Sequence, residues 1–267
     1  MDKERIIDAL ALFRTKDTYS AAMNFWNTLG YFSDRQPEQY SFSFDDFASV
    51  CGNKIDFTKA RKDDWDQFYL LFQITDEEMK NYFKQDYQIT VPGITKQEFQ
   101  AANIKSYLFA SLKLKGDKYT RTQLANIARQ INKQYAIPLI ILFQYNNLVT
   151  IAVVTRRQNL KDTQRDVLEK VTMIKDIKTT DTHRAHIDIL ADLSLEKLSE
   201  HYIINSFETL HNAWSATLDI NELNKRFYKE LSNWYFWAIK KVVFPAGDEE
   251  NEEVRNSIGL IRLLTRL

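Results

Sequence analysis

The stretch from Ser106 to Arg157, SYLFASLKLKGDKYTRTQLANIARQINKQYAIPLIILFQYNNLVTIAVVTRR, decides the fold. Tyr107–Leu114 alternates as a strand does, and Gly116-Asp117 supplies a turn. Thr120, with Gln123 three residues on, reads as a capping box opening a helix. Leu124, Ile127, Ala128 and Ile131 recur on one stripe of that helix, which leaves Arg121 and Arg129 predicted to face solvent. Pro138 starts a strongly apolar strand, PLIILFQY, and Asn146-Asn147 fits a two-residue hairpin turn into LVTIAVVTRR. The stretch is also lopsided in charge. Between Ala102 and Leu160 there are nine Lys or Arg and a single acid, Asp117, in a chain whose net charge is zero.

Outward from this unit, the N-terminal residues read as helical. Residues 4–14 carry Ile6, Ile7, Leu10 and Phe13 at helical spacing, and Asp17 caps a second helix that stops at Gly30. Ser43 with Asp46 is a capping-box variant for a short helix ending near Gly52. Gln67–Thr75, rich in aromatic and branched residues, reads as a buried strand, followed by a helix capped by Thr75 with Glu78. A short helix is expected over 95–103. Beyond the basic unit, Val167–Ile177 is one more strand. Helices are expected at 194–200, at 206–216 and from Asp219 onward, and the last segment, VRNSIGLIRLLTRL, is expected to be helical too. That segment ends without a cap, so the sequence is expected to be a piece of a longer polypeptide.

Composition bounds the class. The balance of 44% hydrophobic and 27% charged residues is that of a globular chain. Six glycines and four prolines favour helices over a turn-rich all-β fold. A single cysteine, Cys51, rules out an intrachain disulfide, and its flanks offer nothing to activate it. No stretch reaches the roughly 20 apolar residues a bilayer demands, so no membrane partner and a cytoplasmic location are expected. The expected fold is α+β or three-layer α/β: a mixed sheet from strands near 67–75, 106–115, 138–145, 148–155 and 167–177, flanked by N-terminal and C-terminal helices. Three segments are expected: a helical block over 1–60, an α/β core over 61–190 and a helical connector over 191–267.

The strand–helix–strand arrangement at 106–145 resembles the middle of a PD-(D/E)xK nuclease core, in which an acid and a lysine spaced (D/E)-x-K hold a divalent metal and assist the attacking water. Here Ser111-Leu112-Lys113 and Lys113-Leu114-Lys115 have the lysines at the right spacing and no acid in either register. Asp86 and Glu98 are the carboxylates considered as substitutes. Lys113, Lys115, Lys118, Arg121, Arg129, Arg156 and Arg157 are the candidate DNA-binding residues. Tyr119, Gln123, Asn126, Tyr135, Gln144 and Tyr145 are interleaved with them as possible stacking and base-edge contacts. A solvated basic face is the bland alternative. His183 and His186 lie three residues apart with no completing ligand, so a strand end or helix start is expected there rather than a metal site. Trp234-Tyr235-Phe236-Trp237 is expected to pack in a core or between domains. No catalytic residue and no metal ligand is assigned.

Three stretches, KGDKYTRTQLANIARQINK, VLEKVTMIKDI with HRAHIDIL, and LNKRFYKELSNWYFWAIKKVVFP with RNSIGLIRLLTRL, resemble the N-terminal region of large bacterial restriction–modification polypeptides that carry an adenine-specific DNA methyltransferase. The resemblance covers about residues 105–267. It implies a phage-defence context, DNA and the remainder of its own polypeptide as partners, and a nuclease-like N-terminal domain. S-adenosylmethionine, with Mg as the nuclease metal, would belong to the parent polypeptide and no cofactor to this segment. Three readings stay open: a degenerate, DNA-contacting nuclease-like domain, an active metal-dependent endonuclease, and a structural docking module without DNA contact.

Overall fold

The structure of the protein, a computed structural model, describes residues 2–78, 106–135, 138–158, 166–204, 206–218, 220–245 and 251–265. The chain divides into two compact units, Met1–Leu218 and Asp219–Leu267. The boundary therefore falls well after residue 190, and the helices expected to begin a connector at 191 belong to the first unit.

The first unit opens with α1 (Lys3–Ala11), prolonged by a 3-10 turn at Leu12–Arg14, and α2 (Thr18–Thr28). Asp17 accepts from the Ser20 N–H at 2.9 Å and so caps α2, while Gly30, at φ 90°, ends it where only glycine is unstrained. The two-residue β1 (Ser41–Phe42), α3 (Phe44–Cys51) and the one-turn α4 (Phe57–Ala60) come next. Ser43 and Asp46 form the reciprocal capping box of α3. Then come β2 (Trp65–Thr75), β3 (Ser106–Leu114) and α5 (Arg121–Asn132), whose capping box is Thr120 with Gln123. They are followed by β4 (Leu139–Tyr145), β5 (Leu148–Gln158) and β6 (Asp166–Lys178). Three helices close the unit: α6 (Arg184–Asp192), α7 (Leu195–His201) and α8 (Phe207–Thr217). The helix expected at 95–103 lies outside the described residues, as do Asp86, Glu98 and Asp219.

The described strands form one six-stranded mixed sheet whose order, β1-β2-β3-β4-β5-β6, is the order of the chain. Only β3 and β4 run parallel, joined by the α5 crossover; the other pairs are antiparallel. Helices cover both faces, which makes the unit three-layered. Ile140 and Leu142 of β4 join a core built with α1, α2, α6, α7 and α8. Leu139, Ile141 and Phe143 join a second core on the other side with α3, α4 and α5. Burial on both faces explains why PLIILFQY lacks the apolar–polar alternation of a half-exposed strand. The first core centres on an aromatic cluster. Trp26 and Tyr31 meet Phe109 at 5.0 and 5.9 Å, and Trp214 of α8 at 5.8 and 5.3 Å. Trp214 Nε1 donates to the Tyr31 hydroxyl, which donates to the Leu193 carbonyl, each at 2.7 Å.

The second unit is a pair of helices, α9 (Ile220–Ala238) and α10 (Glu252–Thr265). Ala238 and Leu260 are buried, and the Tyr235 hydroxyl meets the Ser257 hydroxyl at 2.6 Å. The Phe244 N–H donates to Asn256 Oδ1 at 2.8 Å, fixing the connection against α10. Trp234, Phe236 and Trp237 are exposed, so the core packing expected for this aromatic run is not what its helix provides. Among the described residues, no helix is long and apolar enough to cross a membrane.

Candidate functional site at the ends of the parallel strands

In sheets with parallel strands and crossover helices, ligands favour the crevice beyond the strands' carboxyl ends. Here that place lies past Lys113 of β3 and Gln144 of β4, which are paired in the ladder. Leu112 and Leu114 belong to the α5-side core. Strand alternation therefore turns Ser111 and Lys113 to the opposite side, beneath α1 and α2.

Ser111 occupies the position that a metal-binding acid would take two residues before Lys113. It is fully buried, and its hydroxyl has no hydrogen-bond partner. The lid over this side is held by Gln144, itself buried. Thr18 Oγ1 donates to Gln144 Oε1 at 2.6 Å, and Gln144 Nε2 donates to the Phe13 carbonyl at 2.8 Å. A carboxylate does reach Lys113, from the neighbouring strand: Asp66 Oδ2 lies 2.9 Å from Nζ. Both partners are nearly half exposed, so the pair contributes little stability. One carboxylate whose charge is matched by a lysine is a poor holder for a hard divalent ion, which takes several oxygen ligands. Among the described residues there is no group of three metal-ligating side chains.

The predicted basic residues do not form one face. Lys115 and Lys118 are exposed in the β3–α5 loop, Arg121 is exposed at the start of α5, and among the described residues neither lysine is ion-paired. Those three share a corner, with Lys113 around its edge on the other side of the sheet. Arg121 is not wholly free: Nη2 donates to the Met173 carbonyl of β6 at 3.1 Å. Arg129, two turns along α5, is half-buried and donates to Asn126 Oδ1 at 3.2 Å. Arg156 and Arg157 lie far along β5, paired by backbone with Leu168 and Val167, and are described by backbone alone.

The one-sided charge of the sequence window is also offset in space. The start of β2 brings in Asp64, whose carbonyl accepts from the Lys115 N–H at 2.9 Å and whose carboxylate pairs with Arg61, together with Asp66. Arg61 in turn lies over the Tyr119 ring, 5.8 Å from its centre.

The side chains expected to reach bases are engaged elsewhere. Tyr119 and Tyr145 are buried and pack edge-on at 5.1 Å. The Tyr119 hydroxyl accepts from the Gly116 N–H at 2.8 Å. Tyr145 donates to Asp176 Oδ1 at 2.8 Å, and burial raises its phenol pKa strongly. Gln123 Oε1 is spent on the Thr120 N–H and Asn126 on Arg129. Burial raises the Tyr135 phenol strongly as well.

Sequence reading missed a different group of side chains. Tyr19 and Tyr40 pack at 4.6 Å, Tyr19 and Tyr69 at 6.0 Å, and Tyr40 is exposed. Burial raises the Tyr69 phenol, with Asp17 adding to the rise and Lys113 opposing it. These tyrosines come from three separated segments, so no local pattern could have joined them. His183 is the N-cap of α6, its Nδ1 accepting from the Ala185 N–H at 3.2 Å. His186 is held below the ordinary imidazole value by burial, then by His183, with Asp176 opposing. Burial pushes the Cys51 thiol up to about 11, which keeps it protonated and unreactive at neutral pH. No family model, no curated protein and no solved structure matches the chain.

Proposed function

We propose that the first unit is a nuclease-like module that does not cleave, and that it holds duplex DNA by its phosphates within a bacterial restriction–modification polypeptide. The observation that carries this reading is the corner beyond the β3 end, where Lys115 and Lys118 stand exposed and unpaired beside Arg121, while the acid position two residues before Lys113 is a sealed serine. Phosphate contact needs only cations in reach and tolerates the absence of base-reading side chains. Contact of this kind is independent of sequence and sensitive to salt. In this reading S-adenosylmethionine chemistry and any magnesium-dependent cutting belong to other parts of the polypeptide.

The test is a duplex-DNA titration at several salt concentrations. About three phosphate contacts give a slope of log affinity on log salt of roughly −3. Lys115→Ala with Lys118→Ala should bring that slope to about −1. No binding at low salt, or a slope that ignores both substitutions, would overturn the proposal. The buried state of Tyr119, Tyr145 and Gln144 favours the docking module as the second reading. An active endonuclease would rest on Asp66, the carboxylate that pairs with Lys113.

A further inference from the structure

Between the end of β3 and the start of α5 the chain reads Lys115-Gly116-Asp117-Lys118-Tyr119-Thr120. Exposed loops of this kind are ordinarily mobile, yet the backbone of this one is tied down along its length. The Lys115 N–H donates to the Asp64 carbonyl at 2.9 Å. The Gly116 N–H donates to the Tyr119 hydroxyl at 2.8 Å, and the Thr120 N–H to Gln123 Oε1 at 2.7 Å.

Tyr119 is the hub of the arrangement. It is 4% exposed, its ring packs edge-on against Tyr145 at the end of β4, and the Arg61 guanidinium, itself paired with Asp64, lies over it. With the ring held on these sides, its hydroxyl grips Gly116 from inside the loop. The fit leaves no room for a side chain at residue 116. A Cβ there would stand 2.6 Å from the hydroxyl oxygen and 3.0 Å from the ring carbon that bears it. Glycine serves close approach here, since its φ is not positive. None of these contacts uses a lysine ammonium: the loop is fixed by its backbone and by Tyr119, and Lys115 and Lys118 stay exposed.

We infer that Tyr119 is the positioning residue of the phosphate corner, holding the β3–α5 loop through Gly116 so that Lys115 and Lys118 meet phosphates on a backbone already ordered. The inference rests on the phosphate-contact reading given above. An ordered loop gives up less conformational entropy on binding. That gain is independent of salt, whereas the contribution of the lysines is not. Tyr119 therefore sets the strength of binding at every salt concentration, and the lysines set its salt dependence.

Duplex-DNA titrations against salt separate the two roles. Tyr119→Phe, which removes only the hydroxyl, should bind about five- to ten-fold more weakly at each salt concentration, with the slope still near −3. Gly116→Ala should act in the same direction by a larger factor, and urea unfolding should show both variants folded under the binding conditions. Backbone 15N relaxation needs no DNA. The amides from Lys115 to Tyr119 should have order parameters of about 0.85 in the unaltered protein and fall towards about 0.6 in Tyr119→Phe. Undiminished affinity in both variants, or a loop already below about 0.6 in the unaltered protein, would overturn the inference and leave the phosphate reading standing. A changed salt slope in Tyr119→Phe would overturn it as well, because the hydroxyl would then act through charge. Absence of salt-dependent binding by the unaltered protein would overturn the phosphate reading, and this inference with it.

Discussion

The aromatic cluster under α2 and the aromatic run on α9 draw on the same residue types and end in opposite places. Trp26 and Trp214 are at most 1% exposed, held by a two-sided sheet and five helices, whereas Trp237 is 60% exposed on a two-helix unit. Hydrophobicity alone does not decide burial; the number of layers available to close over a side chain does. The first unit has three layers and uses its aromatics as core. Among the described residues the second has a pair of helices, so its aromatics lie at the surface.

The largest expected effect breaks this comparison at its centre. Trp26→Ala should cost about 3–5 kcal/mol in urea unfolding, and Trp237→Ala within about 0.5 kcal/mol of nothing. Equal losses would mean that the two regions are packed alike.

A second effect comes from acid. His211 of α8 is 4% exposed beside Tyr107, and burial pushes its pKa down to about 4. The unfolded chain therefore binds a proton between pH 6.5 and 4 that the folded chain does not. Stability is full above pH 6.5 and falls through that window, by about 3 kcal/mol at most. His211→Phe should flatten the profile, as followed by thermal unfolding against pH. Gln144→Leu should cost about 2–3 kcal/mol, since it strands the buried Thr18 hydroxyl and Phe13 carbonyl. A smaller loss would mean that the lid over Ser111 is held by its apolar contacts alone. The smallest effect is at the cap of α5, where Thr120→Ala should cost about 1 kcal/mol.

Much of the fold was legible because it rests on short-range rules. The Thr120–Gln123 and Ser43–Asp46 boxes, the Asn146-Asn147 turn and the apolar run of β4 each act within a few residues. Asn146 takes the left-handed conformation that such a turn demands, at φ 49°. The site was far less legible. Whether lysines share a face depends on which side of the sheet Lys113 takes, and that depends on pairing with strands remote in sequence. The acids that offset the basic window come from the start of β2, some 50 residues before the β3–α5 loop, so a window count along the chain could not register them. Gln144 reads as a candidate base contact until α1 and α2 are seen to close over it.

Strand order equal to chain order has a consequence for synthesis. Each strand of the sheet can be laid beside its predecessor as it leaves the ribosome, without waiting for distant sequence. The α1–α2 side has no such convenience. Tyr31 waits for Leu193, and Trp26 and Tyr31 wait for Trp214, so one face of a nearly finished sheet stays open until the last helix of the unit arrives. Nascent chains paused before α8 are thus the species expected to engage chaperones, and slow decoding just upstream of Phe207 would lengthen that exposure.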